Sequence, residues 1–335
     1  MDFKGRKVLV VGGAGYVGSV VTSMLLDAGA EVRVLDQLIY DNGFALQHLL
    51  DNDRLSFMRG NLCDASTFAR AAAGVSDVVL LASLVGDPIC KKYPELAKGV
   101  NQDAALRIID SLDALGVKRF VFTSTCSNYG IHDPATLANE TADLNPQSLY
   151  ARTKIEVENH LLAASKKSAF SGTVLRVSTA YGLSPRMRFD LTVSQFTWEL
   201  ASGAPLLVYD ADTWRPYCHI RDIAKAIMTV FLQPADRVAG EVFNVGEDSQ
   251  QFTKRMIVEE VQKSLKNTQV EYRSGDTDPR NYRVSFEKIS TRLGFRCDHT
   301  VQAYIPRLIA AVQAGVFHDV RGNTRFGNYQ VSHLA

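Results

Sequence analysis

Val8-Leu9-Val10-Val11-Gly12-Gly13-Ala14-Gly15-Tyr16-Val17-Gly18 decides how this chain is read. An apolar run cut off by glycines reads as a buried strand entering a tight turn. Beyond it Val17, Val20, Val21, Met24, Leu25 and Ala28 recur at helical spacing, and Gly29 supplies a stop. Gly13, Gly15 and Gly18 satisfy GxGxxG, and Gly12, Gly15 and Gly18 satisfy the related GxxGxxG. A glycine triplet alone says little. Between a strand and a helix it has a physical purpose: the turn is tight, the backbone can approach a pyrophosphate, and the helix N-terminus faces the phosphates.

Asp36 closes the next strand candidate, 18 residues after Gly18. That is close to the ~20-residue spacing of a carboxylate that hydrogen-bonds an adenosine ribose. A carboxylate there repels a 2′-phosphate, and the following Gln37 and Leu38 offer no cation, so NAD is favoured over NADP.

Working outward, strands are expected at Lys7-Val11, Val32-Leu35, Leu55-Arg59, Asp77-Ala82, Arg119-Thr123 and Thr173-Val177. Nearly continuous apolar runs of this kind suit parallel strands covered on both faces. Helices are expected at Pro94-Leu115 and Pro146-Ala164, then a helix and strand at Ile220-Phe231 and Val242-Val245. After about residue 182 the regularity weakens, with turn-rich, arginine-bearing segments at 184–188 and 275–280. The fold class expected is α/β, a doubly wound parallel sheet of Rossmann type with a smaller, partly interleaved C-terminal lobe. Residues 1–182 form the dinucleotide-binding domain, 220–246 return to it, and 183–219 with 247–335 form the substrate-binding lobe.

The 335 residues are 46% hydrophobic and 22% charged, with Lys+Arg 37 against Asp+Glu 36 and a net charge of +1. This is ordinary globular composition, and no overall field draws it to nucleic acid or an acidic membrane. No apolar stretch reaches the ~18 residues of a membrane span, and the glycines interrupt the first apolar run before it makes a signal segment, so a cytoplasmic protein is expected. Cys63, Cys90, Cys126, Cys218 and Cys297 are widely spaced, without a CxxC pair, and read as reduced thiols. His219 lacks a second histidine or an acidic cluster beside it and reads as a packing residue, so no metal site is expected.

Tyr150-Ala151-Arg152-Thr153-Lys154 sets a phenol and an ammonium one helical turn apart. The nearby cation is expected to lower the tyrosine pKa and make it a general base. In a chain with 12 tyrosines this spacing means little alone. Its company is Phe120-Val121-Phe122-Thr123-Ser124-Thr125-Cys126-Ser127-Asn128-Tyr129-Gly130, which puts hydroxyls at the C-terminal end of a strand, the end where open α/β sheets bind ligands.

With these residues in view the chain resembles the extended short-chain dehydrogenase/reductases that act on nucleotide sugars. The resemblance runs through the glycine loop, Asp36, Gly60-Asn61-Leu62-Cys63-Asp64, Leu81-Ala82, Ser124-Thr125, Tyr150 with Lys154, Arg215, and Glu241-Val242-Phe243-Asn244-Val245-Gly246. It implies Thr125, Tyr150 and Lys154 as the catalytic triad, Thr125 preceding Tyr150 by 25 residues as in the family's sugar epimerases. It implies cofactor contacts from Gly12, Gly15, Tyr16, Val17, Gly18, Asp36, Asn61, Leu62, Leu81, Ala82, Tyr150 and Lys154. Asn61 departs from the family's more usual Asp. Substrate contacts are implied for Thr125, Cys126, Thr179, Arg215 and Arg280. Thr179 follows Ser178 where the family usually has an Asn, and Arg186 and Arg188 are further lobe candidates. Arg215 matches the arginine that grips a nucleotide diphosphate, chemistry that suits a guanidinium.

Members of this family begin alike, with the tyrosinate taking a sugar hydroxyl proton while hydride leaves C4 for NAD. The dehydratases follow the Thr with Asp and Glu, whereas here Cys126 and Ser127 occupy those positions. A hydroxyl cannot replace a carboxylate as a base near neutral pH, so elimination is disfavoured. The leading reading is a nucleotide-sugar 4-epimerase. A 4-ketoreductase, a dehydratase using Cys126, and a non-catalytic NAD-binding subunit are the alternatives. The partner expected is a nucleotide diphosphate sugar. The resemblance also implies a homodimer through the helices at Pro94-Leu115 and Pro146-Ala164, with Ile108, Leu112, Ile155 and Leu162 as packing candidates.

Overall fold

Strand β1 (Lys7–Val11) is the central element, because its successive side chains feed two different cores. Val8 and Val10 join one apolar cluster, Leu9 and Val11 the other. Alternation along a pleated strand produces this division, and a strand apolar on both faces must be covered on both. The computed structural model describes residues 1–275 and 278–331. Of the turn-rich stretch expected at 275–280, Asp276 and Thr277 lie outside the described residues.

The remaining strands are β2 (Glu31–Asp36), β3 (Leu55–Arg59), β4 (Asp77–Leu80), β5 (Arg119–Thr125), β6 (Ser171–Val177), β7 (Thr179–Tyr181), β8 (Leu206–Tyr209), β9 (Trp214–His219), β10 (Glu241–Val245), β11 (Gln251–Thr253) and β12 (Val270–Arg273). The main sheet has the order β3-β2-β1-β4-β5-β6-β10, and all its pairings are parallel. Helices Gly18–Asp27 and Ile220–Leu232 pack on one face through Val21, Leu25, Ile223 and Ile227. Helices Ala65–Ala72, Ala104–Ser111 and Leu149–Ser165 cover the other through Phe68, Ile108, Val157 and Leu161. The sheet is therefore doubly wound, as the sequence implies. The helix Ile220–Leu232 packs on its face, and β10 extends its edge beyond β6. Two smaller sheets, β11-β9-β7 and β12-β8, lie outside it.

The helix expected at Pro94-Leu115 is divided. It runs Pro94–Lys98, opens into a π turn at Gly99–Asp103, and resumes at Ala104–Ser111. The widened turn presents Asn101, whose carboxamide accepts from Leu84 N at 2.8 Å and donates to Leu84 O at 3.0 Å. The loop after β4 is thereby tied to a helix. Ile108 and Leu112 are buried within this chain, so the sheet takes the packing assigned to them at a dimer seam; Ile155 and Leu162 are half-buried. No helix of the described residues is long and apolar enough to cross a membrane.

A buried polar network joins the helix Leu149–Ser165 to β5 and β6. The ladder puts Ser124 beside Arg176, and Glu158 reaches both. One Glu158 oxygen accepts from Arg176 Nη2 at 2.7 Å, and the other accepts from Asn128 Nδ2 at 2.7 Å and from the Ser124 hydroxyl. Arg176 Nη1 also donates to the Tyr129 hydroxyl at 3.1 Å, which donates to Asn244 Oδ1 at 2.8 Å. Both charged side chains are almost wholly buried. Removing one partner of such a pair strands the other charge and typically costs about 3 to 5 kcal/mol, whereas apolar replacement of both is much milder. Glu158→Ala is therefore expected to lower the urea unfolding midpoint by that free energy, with the Glu158→Leu, Arg176→Met double variant recovering most of it. Equal losses in the two proteins would show that the pair is not a coupled unit.

Candidate active site

At the C-terminal ends of the main strands lies a cavity of about 780 Å³, within the range of small-molecule sites. Its wall includes Gly12, Gly15, Tyr16, Val17, Gly18, Asp36, Leu62, Leu81, Ala82, Thr125, Tyr150, Lys154, Thr179, Arg215 and Arg280. All but two of the site residues expected from sequence thus meet in one place.

The glycine loop explains itself sterically. Gly12 has φ +90°, and a Cβ there would lie 2.7 Å from Ala82 N. A Cβ on Gly18 would collide with the Gly12 carbonyl, while one on Gly13 would strike Val34 of β2 at 2.7 Å. Gly12, Gly15 and Gly18 therefore line the cavity, and Gly13 serves packing. Asp36 ends β2 with its carboxylate accepting from Ala14 N at 3.0 Å and Leu38 N at 2.8 Å. Burial raises its pKa, partly offset by these amides and by Arg186. That cation lies far along the chain and is one of the two further arginine candidates named from the sequence.

Two of the expected residues lie outside the cavity wall. Asn61 is not in the wall; its Oδ1 accepts from Cys63 N at 2.9 Å, a local turn bond open to a short amide side chain. Cys126 is 1% exposed, also outside the wall, and its thiol donates to Arg176 O at 3.1 Å. Thr125 caps the 3-10 turn Cys126–Tyr129 by accepting from Ser127 N at 3.1 Å. The turn directs Cys126 into the core and brings Ser127 to the cavity. Burial pushes the Cys126 thiol far up, which disfavours the thiolate.

Thr125, Tyr150 and Lys154 share the cavity wall, but their electrostatics differ from the expectation. Ser148 caps the helix Leu149–Ser165 by accepting from Ala151 N, which fixes Tyr150 and Lys154 in its first turns. Lys154 Nζ donates to Thr123 O at 2.9 Å and lies 5.6 Å from the Tyr150 ring centre. Burial pushes this ammonium down to about 8. Burial likewise raises the Tyr150 phenol, with Cys90 and Asp87 adding to the rise while Arg188 and Arg280 oppose it. Desolvation outweighs attraction here, and the opposing cations are lobe arginines. The Thr125 hydroxyl, already accepting from Ser127, keeps its own proton for donation.

The wall has two arms. Around Arg186 stand Asp36, Tyr40, Arg188 and Asp190, with Asn328 donating its backbone amide to Asp190. Arg186 and Arg188 are buried rather than solvated. Arg186 lies 4.8 Å from the Tyr40 ring centre and burial pushes it down to about 10; Arg188 forms a fork on Asp190 at 2.6 and 2.9 Å. Tyr40 OH, Ser83 Oγ, Arg186 Nε and Asn328 Oδ1 are buried without a hydrogen-bond partner. Unpaired polar atoms on one wall, beside a glycine loop and a helix N-terminus, fit a polar anionic dinucleotide. The other arm, near Tyr150, holds Asp87, Ser127, Arg215, Asp278, Arg280 and Tyr282. Asp278 bridges both arginines, at 3.1 Å to Arg215 and 2.7 Å to Arg280; burial would raise its pKa, but this pairing holds it well below the usual range. His219 caps its helix by accepting from Arg221 N and stacks on His299, so it packs as expected.

Sequence reasoning missed Asp87, Asp278, Ser127 and Asn328. Only Asp278 left a local signal, the Asp-Pro-Arg run that makes its fork with Arg280. Among the described residues no group of three or more side chains is placed to hold a metal.

Comparison with known proteins agrees with this geometry. The chain is 29% identical to a UDP-glucose 4-epimerase of Corynebacterium glutamicum, over 88% of this chain and 92% of that protein. The solved structure of MoeE5 in complex with UDP-glucuronic acid and NAD is 25% identical, with a TM-score of 0.81, covering 92% of this chain and 99% of that one. The dTDP-glucose 4,6-dehydratase DesIV of Streptomyces venezuelae, solved with NAD and TYD bound, is also 25% identical, with a TM-score of 0.82 over 91% of this chain and 96% of that one. A family model described as "NAD dependent epimerase/dehydratase family" matches residues 8–246, and with its glycine loop, Asp36 and triad around one cavity the chain belongs to that family of enzymes, whose cofactor is NAD.

Proposed function

We propose that this enzyme is a nucleotide-sugar 4-epimerase. The observation that carries the reading is the wall beside the triad: where elimination needs an acid and a base, Cys126 points into the core and only the Ser127 hydroxyl faces the cavity. With no such pair following Thr125, removal and return of hydrogen at one carbon is the simplest chemistry the side chains serve.

In this mechanism Tyr150 first gives up its own proton to solvent, a step that burial opposes and Arg188 and Arg280 favour; the phenolate then takes the proton from the sugar C4 hydroxyl while Thr125 donates a hydrogen bond to the same oxygen. When bound, NAD would supply hydride acceptance and return at C4, and the Gly12, Gly15 and Gly18 backbone with Asp36, Tyr150 and Lys154 would hold it. Tyr150 then returns the proton. Lys154, anchored on Thr123 O, holds the triad end of the cofactor arm, and Arg215 and Arg280 receive the diphosphate. Asp36 holds the adenosine ribose, with Leu62, Leu81 and Ala82 beside it. Thr179 faces the sugar nucleotide. A homodimer in the cytoplasm belongs to the same proposal.

An epimerase restores its cofactor in each cycle and gains from keeping it, whereas a reductase must exchange it. Retention is favoured by the C-terminal segment, which crosses between the two walls of the cofactor arm. Arg186 donates to Gly327 O at 3.2 Å, Phe189 N to Phe326 O at 2.7 Å, and Asn328 Nδ2 to Val85 O at 3.0 Å. Arg325 stacks 4.2 Å from the Phe44 ring centre.

Purified protein is expected to keep its nicotinamide through gel filtration and to convert a nucleotide hexose to its C4 epimer without added cofactor. Dependence on added NADH or NADPH would instead establish the reductase. Tyr150→Phe is expected to retain NAD and lose turnover by about 10²- to 10⁴-fold; unimpaired turnover would remove Tyr150 from the mechanism. Arg325→Ala with Asn328→Ala removes strap contacts worth about 1 kcal/mol each, so NAD release should quicken roughly tenfold or more. Stopped-flow chase with excess labelled NAD reads that rate, and an unchanged rate would detach the segment from cofactor retention.

Lys154 makes a pH prediction. Its folded pKa of about 8 lies below the ordinary 10.5, so between these values the unfolded chain holds a proton that the folded protein has lost. Stability therefore rises with pH through this window, as the cost of the buried charge is relieved. The unfolding free energy of the wild type relative to Lys154→Met should grow by on the order of 2 kcal/mol from about pH 8 to about pH 10. A flat difference would show that Lys154 does not titrate there.

A further inference from the structure

The loop after β4 holds a carboxylate that the proposed chemistry does not use. Asn101 fixes Leu84 through both its backbone groups, the Cys90 thiol donates to Leu84 O at 3.3 Å, and Gly86 turns the chain at φ +117°. Asp87 follows in the cavity wall. One of its oxygens pairs with Arg280 Nη2 at 3.2 Å. The other, Oδ1, is buried with no hydrogen-bond partner.

Its neighbours place it at the reacting end. Arg280 also donates to the Ser127 hydroxyl at 3.3 Å, two residues beyond Thr125. Asp87 and Arg280 shift the acidity of Tyr150 in opposite senses, after burial, so both lie within electrostatic reach of the phenol. A ligand oxygen bound at Tyr150 and Thr125 therefore has Asp87 beside the rest of its ring, while the dinucleotide arm lies around Asp36.

A carboxylate oxygen in this position accepts hydrogen bonds and donates none. Left bare in a buried wall it is costly, and the group that relieves it must be a donor. A sugar hydroxyl is such a donor. A uronate carboxylate is not, and it would add a second negative charge opposite the first. Arg280 does not alter this balance, because its fork is shared between Asp87 and Asp278.

We infer that Asp87 is a specificity-determining residue whose Oδ1 accepts from a ring hydroxyl near the reacting carbon, selecting nucleotide sugars with neutral hexoses and rejecting hexuronates. The inference rests on the proposed nucleotide-sugar substrate but not on which reaction follows, so binding tests it.

The experiment is calorimetric titration of the NAD-loaded protein with UDP-glucose and UDP-glucuronate, repeated with the dTDP pair, for wild type, Asp87→Asn and Asp87→Ala. Wild type should bind the glucose form about tenfold or more tightly than the uronate, and Asp87→Asn should shrink that ratio by about tenfold, with NAD content and melting temperature unchanged. Binding with the same ratio in wild type and Asp87→Asn overturns the role of Asp87 alone. Equal or tighter wild-type binding of the uronate overturns it as well, and it decides the matter even if both variants fail to fold. Binding of none of these ligands overturns the nucleotide-sugar reading and this inference with it.

Discussion

The buried contact between Glu158 and Arg176 is the constraint on which the reacting end of this molecule depends. Glu158 lies one turn beyond Lys154 on the helix that also carries Tyr150, and Arg176 lies on β6 beside Ser124 of β5. A helix resting on a sheet through apolar contacts alone can slide or rotate with little penalty, since such contacts have no direction. The carboxylate fixes it by accepting from Arg176, Asn128 and Ser124 together, each bond with its own geometry. Tyr150 is thereby set in phase with Thr125, which ends the strand that contains Ser124. The same network reaches Tyr129, Asn244 and Glu140, so the edge strand β10 is tied in too.

What could be read from the sequence follows from how local the governing physics is. The strand, glycine loop and helix at residues 7–27 obey steric and periodic rules acting within a few residues, and the structure keeps them nearly unchanged. Tyr150 and Lys154 are a helical turn apart by arithmetic. Their electrostatics were not legible, because desolvation depends on how much of the rest of the chain covers them, and the cations that act on Tyr150 are Arg188 and Arg280. Cys126 and Ser127 show the same limit at shorter range. A 3-10 turn decides which of two adjacent side chains faces the cavity, and nothing in their identity reveals that choice. Asn61 satisfied a neighbouring amide, a local alternative that competes with any distant role.

The arginines illustrate a different limit. Arg215 is expected from the sequence as an anion contact and Arg186 and Arg188 as further candidates, but the sequence does not show how buried all three are. Burial of charge is tolerable only with compensation, and each has some: carbonyls of the C-terminal segment for Arg186, Asp190 for Arg188, Asp278 for Arg215. Those partners come from distant parts of the chain, or, for Asp190, from a neighbour that orders only in the folded lobe. The arginines were thus legible as candidates, and their carboxylate and carbonyl partners only with the tertiary structure.

This compensation also bears on how the cleft works. A bare pair of arginines would bind any anion, including free phosphate, and would be strongly hydrated before doing so. Arg215 and Arg280 already share Asp278, so their orientation is set in the unliganded chain, and an anion such as the proposed diphosphate would have to compete with a carboxylate for them. Such a site gives up some raw affinity and gains discrimination, because a weak anion offers too little to displace the internal partner. The unpaired atoms of the wall act in the opposite sense. Ser83 Oγ, Arg186 Nε and Asn328 Oδ1 have no internal alternative, so a ligand that supplies partners for all of them is favoured over one that reaches only some. Guarded charges and unguarded dipoles in one cavity therefore select for a molecule that spans it.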